Sequence, residues 1–300
     1  MGVVDGGDGV GHCSGMSLTW RRRRFLQSGA MACLTSVGAW AGGGPTRRYG
    51  LVAMGDGKPV VRLAAGRRDL LMQVDTGAET SVLTAAGAAL LGLRPGAPWR
   101  RIAGLGGLAA YPTVWVTGLG FAGMARRDLR LPVMRLPLAA GVDGIIGIDL
   151  LRDFVVGLDL AAGAMTLTDA LPTGVGHAAL RFVPGAGLPV VTARVGQRLI
   201  PALLDTGAGG SAIDVAVSGV MAGALAEDPA RLGYGAGGMA VPARLHRFDD
   251  ISLGGRWLGT LTLRVTRLPA VLPMRLVLGI DVLRGRVLWI DYPGRRLALG

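Results

Sequence analysis

Cysteine is nearly absent: the two in the chain, Cys13 and Cys33, both fall before Gly42. From Gly42 onward there are no disulfides, no thiol nucleophile and no thiolate metal ligand to consider. Histidine is almost as scarce. His12, His177 and His246 lie far apart, which removes the spacings of a histidine metal site and of a Ser-His-Asp triad. Lysine occurs once, at Lys58, so nearly all of the net charge of +12 is arginine. Those arginines come as scattered pairs (Arg67-Arg68, Arg100-Arg101, Arg126-Arg127, Arg295-Arg296) without interleaved aromatics or a nucleic-acid motif. Nucleic acid is therefore not an expected partner, and the charge suits at most a weak affinity for anionic surfaces. Aromatics make up only 5% and charged residues 17% of a chain that is 50% hydrophobic with 51 glycines. Disorder needs low hydrophobicity and high charge and is excluded. The same mixture points away from a helical bundle and towards a β-rich, turn-rich protein with ample apolar side chains for packed cores.

Residues 1–41 read as a leader. Residues 1–15 are glycine-rich and patternless, which leaves Met1 and Met16 both open as the start. Arg21-Arg22-Arg23-Arg24-Phe25-Leu26-Gln27 then resembles a twin-arginine export signal, with Arg22-Arg23 as the pair. The following stretch to Trp40 is short and interrupted by Ser28, Thr35, Ser36 and glycines, so it is too weakly apolar to remain as a membrane span. Ala39-Trp40-Ala41 is a small-x-small cleavage site, whereas Ala30-Met31-Ala32 before Cys33 matches a lipoprotein signal poorly. The expectation is a chain cleaved after Ala41 and periplasmic or secreted by the twin-arginine route.

The rest is organised as a duplication. Val74-Asp75-Thr76-Gly77-Ala78 returns as Leu204-Asp205-Thr206-Gly207-Ala208. Val61 to Asp75 aligns without a gap on Val191 to Asp205, and Gly147 to Leu167 does the same on Gly279 to Leu299. Each of these last segments predicts one turn of helix followed by a hairpin. Leu51–Met54 and Pro59–Ala65 read as strands about a Gly55-Asp56-Gly57 turn, and residues 84–93 as a short helix ended by Pro95-Gly96. Val114–Val116 and Leu129–Val133 read as further strands. Gly104-Leu105-Gly106-Gly107 and Gly235-Ala236-Gly237-Gly238 are matched glycine-rich tips between strand-like flanks, suited to a mobile hairpin. The Pro/Gly-rich stretch from Asp169 to His177 reads as a linker, giving a leader over 1–41, a first lobe over 42–170 and a second over 178–300. Residues 118–123 fit G-x-G-x-x-G, but MARRDLRLPV after them reads as strand and not helix, so a hairpin turn is expected there. The matched aspartates Asp149, Asp159, Asp281 and Asp291 read as caps or surface residues beside strands.

One Asp-Thr-Gly is a common chance match. Two copies, each after an apolar run, each followed by Ala and each with a downstream Ile146-Gly147 or Leu278-Gly279, together resemble the aspartic proteases over about Leu51 to Gly300. The alanines and the compact lobes are most similar to the retroviral-type branch, here fused in one chain. The resemblance implies an all-β, two-lobed acid-protease fold and an endopeptidase in which Asp75 and Asp205 share one proton and activate a water between them, with no metal and no cofactor. It implies that Thr76 and Thr206 bond across the lobe interface, that Gly77 and Gly207 let amides approach the carboxylates, and that Gly147 and Gly279 support the turns beside Ala78 and Ala208. The glycine-rich tips become flaps over a peptide or protein substrate, and one chain suffices as a monomer. Leu105, Leu108, Ala236 and Met239, with few charges near either turn, imply a preference for apolar side chains at the cut. Pepsin-like enzymes differ in carrying Ser or Thr where Ala78 and Ala208 stand, one flap instead of two, and a flap tyrosine, whereas Tyr111 and Tyr234 only flank the tips. Glu79 and Gly209 stand where retroviral enzymes usually carry Asp. A catalytically silent peptide-binding protein of the same fold, or a basic surface-binding protein, are the alternative readings.

Overall fold

The computed structural model describes residues 46–104, 107–122, 124–126, 128–174, 177–179, 181–182, 187–219, 233–234, 240–270 and 272–300. The export signal expected in residues 1–41 lies outside them. Among the described residues no helix is long and apolar enough to cross a membrane.

Both halves begin with the same hairpin. Strand Val60–Ala65 alternates sides, burying Val61, Leu63 and Ala65 while Arg62 and Ala64 face out, as the two-residue period of a strand requires. It turns through Gly66 and Arg67 into Arg68–Val74, with Ala65 opposite Arg68 and Val60 opposite Gln73. In the second half Val195 opposes Arg198 and Val190 opposes Leu203, so the second copy keeps the register of the first. Gly66 (φ 60°) and Gly196 (φ 56°) occupy the left-handed conformation that a two-residue hairpin loop demands at its first position.

Each second strand is then flanked in parallel by a short one: Gly144–Ile146 beside Met72 to Val74, and Leu276–Leu278 beside Ala202 to Leu204. The helix Ala85–Leu90 starts where Thr84 caps it by accepting from the Gly87 amide at 3.0 Å, and in the second half Asp214 caps Val215–Ser218 through the Ala216 amide. The lobes are barrel-like, built on a nine-stranded and a seven-stranded sheet, and the all-β two-lobed fold class is as expected.

A six-stranded sheet draws on both halves, in the order Arg47–Gly50, Ala164–Thr168, Val155–Asp159, Val287–Asp291, Arg296–Leu299, His177–Ala179. Its central pair crosses between the lobes, with Val156 opposite Ile290 and Leu158 opposite Leu288, all four buried. Burying each such side chain stabilises by about 1.5–3 kcal/mol. Gly157 faces Trp289, whose ring lies where a side chain at 157 would be.

Two local expectations change. The first strand is Arg47–Gly50 and not Leu51–Met54. There the chain switches partners, the Leu51 amide donating to Gly163 and the Val52 amide to Val60, so neither ladder continues. His177, read as linker, starts a strand paired with Ala298. The turn-helix-hairpin segments appear in both halves, as Ile148–Leu151 and Ile280–Leu283 followed by their hairpins. Residues Leu119–Phe121 and Met124–Arg126 form the hairpin expected in place of a dinucleotide loop.

Candidate active site

The parallel strand pairs end by delivering the two Asp-Thr-Gly turns. The Asp75 amide donates to the Ile146 carbonyl at 3.0 Å and the Asp205 amide to Leu278 at 2.9 Å, which fixes where each carboxylate emerges. Each turn then closes on itself. The Gly77 amide donates to Asp75 Oδ1 at 2.9 Å and the Gly207 amide to Asp205 Oδ1 at 2.8 Å. The Ala208 amide adds a further bond to Asp205 Oδ1 at 3.0 Å. Both alanine amides also bond to the backbone carbonyl of their aspartate, Ala78 to Asp75 at 3.3 Å and Ala208 to Asp205 at 3.2 Å, so only the carboxylate bond of Ala208 distinguishes the copies.

The turns interlock through their threonines, both fully buried. The Thr76 hydroxyl donates to the Leu204 carbonyl at 2.6 Å and accepts from the Thr206 amide at 3.1 Å. The Thr206 hydroxyl donates to Val74 at 2.7 Å and accepts from the Thr76 amide at 3.1 Å. Four bonds of 3.1 Å or less thus cross between the two turns, with a longer one of 3.5 Å between the hydroxyls, and they use the donor and an acceptor site of each hydroxyl. The glycines are required by the opposite half: a Cβ on Gly77 would lie 2.5 Å from Asp205 Cγ, and one on Gly207 would run into the Asp75 carboxyl group. Each carboxylate therefore packs over the other turn's glycine, which brings Asp75 and Asp205 together.

Behind each turn stands a serine and an aspartate. Ser81 Oγ accepts from the Gly147 amide at 2.9 Å and donates to Asp149 at 2.6 Å, while the Ser81 amide donates to the same carboxylate at 2.9 Å. Ser211, Gly279 and Asp281 repeat this with distances of 2.9, 2.6 and 2.9 Å. The backbone of Ile148 donates to Ala78 and that of Ile280 to Ala208, both at 2.9 Å. A Cβ on Gly147 would lie 2.8 Å from the Ala78 carbonyl oxygen, and one on Gly279 2.7 Å from that of Ala208. Gly147 and Gly279 thus press on the turns. Asp149 and Asp281 sit in the first turn of their short helices, but they also anchor Ser81 and Ser211, a role their matched recurrence in sequence does not reveal.

Burial and crowding set the electrostatics. Asp75 titrates well above the ordinary carboxylate range, first because it is buried, then because the Asp205 charge and the hydrogen bond shared with it favour its protonated form. Asp205 is also raised by burial, but the hydrogen bond from Asp75, the amides of Gly207 and Ala208, and the charge of Lys58 act in the other direction. Both groups are raised by burial, so the pair keeps a proton to higher pH than an ordinary carboxyl group would. Tyr292 is buried near enough to Asp75 for that charge, after burial, to push its phenol further towards the neutral form.

The expected scarcity of charge near the turns is corrected at two positions. Lys58, upstream of Asp75 in the first half, reaches the second lobe: its Cε lies 3.7 Å from the place a Cβ would take on Gly209, and both aspartates feel its charge. Glu79 is raised by burial, against the lowering charge of Arg100 and with a raising one from Asp149. Sequence reading noted Lys58 only as the single lysine, because a contact between lobes leaves no local pattern.

The first glycine-rich tip joins strands Gly96–Gly104 and Gly107–Val116, with Gly104 opposite Gly107 and Tyr111 opposite Arg100. Leu105 and Gly106 lie outside the described residues. In the second half Gly233–Tyr234 pairs with Ala240–Val241, and Gly235, Ala236, Gly237 and Gly238 between them are outside as well. Among the described residues no group of three or more His, Cys, Asp or Glu side chains could hold a metal ion.

Known proteins bear on this geometry in one way. No curated protein matches the chain. A family model described as aspartyl protease matches twice, over residues 61–150 and again over 191–282, and each match contains one Asp-Thr-Gly turn with its Gly-Ile-Asp support. The chain belongs to the aspartyl protease family, as a duplicated member in which both halves carry the family's pattern.

Proposed function

We propose that the protein is an aspartic endopeptidase with Asp75 as the proton-carrying carboxyl group and Asp205 as the carboxylate. The observation that carries this reading is the unequal pair: two buried carboxyl groups, each packed over the other turn's glycine and both raised by burial, of which only Asp205 has a second amide donor. Asp205 takes a proton from a water lying between the two groups, and the water oxygen bonds to the peptide carbonyl carbon while Asp75 gives its proton to the carbonyl oxygen. The tetrahedral diol that results collapses as Asp205 gives the water's proton to the amide nitrogen, the C–N bond breaks, and Asp75 takes back a proton from a diol hydroxyl as the carboxyl product forms. No covalent intermediate with the protein forms.

The glycine-rich hairpins are the candidate flaps, holding an extended peptide over the pair by strand-like bonds. Because both turns come from one chain, a monomer carries the whole site.

The test is cleavage of a peptide library by the purified protein, beside Asp75→Asn and Asp205→Asn. Cleavage that both variants lose, with initial rates linear in enzyme concentration, is the expected result. A rate quadratic in enzyme would instead require two chains per site, and cleavage that survives in either variant would refute the pair.

A further inference from the structure

The two halves match so closely in register that residues near the dyad have counterparts, and at two of these pairs the counterparts differ in charge. In the alignment that carries Asp75 onto Asp205, Lys58 falls on Leu188 and Glu79 falls on Gly209. The loops holding the first pair both cross to the other lobe: Gly57 packs against Arg284 and Lys58 over Gly209, while Gly187 approaches Ile148 and Leu188 is buried in the core. One flank of the dyad therefore has an ammonium above a bare glycine. The opposite flank has a leucine, with a carboxylate at the position the glycine holds on the first.

We propose that Lys58 and Gly209 form an anion-selective subsite on one flank of the dyad only, taking an Asp or Glu side chain of the bound peptide on one side of the scissile bond. The inference rests on the protease reading above and adds the substrate class. Three features of Lys58 support it. Its side chain is only 13% exposed, so its charge is weakly screened. Its partner Asp56 is at 3.5 Å and uses one of three ammonium donors, its other oxygen accepting from the Lys58 amide at 3.2 Å. The position across from it lacks a side chain, where a glutamate like Glu79 would supply a carboxylate of the chain's own. On the other flank the matching position is filled by Glu79, whose carboxyl group feels Arg100 and Asp149, so an acidic side chain there meets a like-charged group that already has a cation beside it.

The experiment is a scan with a fluorescent peptide that has an apolar pair at its centre and one Glu moved through the positions on either side, with Gln controls. Binding is measured by anisotropy on the full-length Asp75→Asn variant, and cleavage on the wild type. Glu should tighten binding about ten-fold over Gln at one or two positions on one side of the centre and at none on the other. Lys58→Met should erase that preference. Gly209→Glu should erase it too, since the added Cβ has ordinary contact distance to Lys58 and its carboxylate would occupy the ammonium. A scan that is flat or symmetric, a preference that survives both substitutions, or no binding by any peptide overturns the subsite. One-sided binding with no cleavage by the wild type would sink the protease reading and leave the subsite standing. Cleavage without a side preference would do the reverse.

Discussion

Removing one threonine hydroxyl is the sharpest perturbation of the lobe junction. Thr76→Val keeps the shape of the side chain and deletes two of the four crossing bonds, those to the Leu204 carbonyl at 2.6 Å and from the Thr206 amide at 3.1 Å. Both threonines are fully buried, so water does not replace what is lost. A buried polar group left without its partner costs about 1–3 kcal/mol, so the pair of losses should cost about 2–6 kcal/mol. Against a total stability of about 5–15 kcal/mol that is a large fraction. With a urea dependence of ~3 kcal/mol/M, the unfolding midpoint should fall by about 1–2 M, read by tryptophan fluorescence. Thr76→Ser keeps the hydroxyl and should stay close to the wild type. Thr206→Val removes the other two bonds and should cost a similar amount. Equal midpoints for Thr76→Val and Thr76→Ser would show that the crossing bonds do not hold the turns together.

Three further outcomes are expected. A carboxyl group whose folded pKa is raised is fully stabilising only below its unfolded value, near 3.8 for Asp75; as pH rises past that value the unfolded chain ionises first and stability falls. Asp75→Asn should therefore unfold at higher urea than the wild type at pH 7 and lose that advantage towards pH 4, and parallel curves across that range would contradict the burial account. Ser at positions 78 and 208 should donate to the carboxylates, favour their ionised forms and move the basic limb of the rate–pH profile to lower pH, whereas a profile coincident with the wild type would refute the role given to the alanines. Replacing Arg22 and Arg23 by lysine should leave the precursor in the cytoplasm, and N-terminal sequencing of the exported wild type should begin near Gly42; intact Met1 or Met16 in the periplasm would rule out the cleavage.

Legible in the sequence are the features that the chain repeats locally. The two Asp turns, the Gly-Ile-Asp supports and the hairpin with a left-handed glycine at 66 or 196 each occupy a few consecutive residues, and their recurrence marks them as structural units. The interlobe sheet is not legible in the same way. Whether Val155–Asp159 pairs with Val287–Asp291 depends on how the two halves meet, and neither strand carries a mark of its partner. The same holds for Ser81 and Asp149, and for Ser211 and Asp281, each pair far apart in the chain and joined only by the fold. Their side chains are ordinary for turns and helix starts, so only the folded chain distinguishes an anchor from a cap.

Duplication within one chain has a chemical consequence that a pair of identical chains lacks. Two identical subunits present each carboxylate with the same surroundings, and the shared proton has no preferred side until substrate arrives. Here both alanine amides bond to the backbone of their aspartate but only that of Ala208 also reaches the carboxylate, Tyr292 stands near Asp75 where its counterpart by sequence is Leu160, and Lys58 approaches from one flank only. The extra amide favours charge on Asp205, the ammonium favours charge on either aspartate, and Tyr292 stays neutral beside Asp75. These differences make the two carboxyl groups inequivalent before a peptide binds, and they also give the two flanks unequal charge. A peptide laid across the dyad in one direction is thus not equivalent to the same peptide reversed. The inequivalent carboxyl groups and the anion subsite at Lys58 are two results of the same divergence between copies, and exchanging Lys58 and Leu188 should reverse the side on which an acidic residue is preferred.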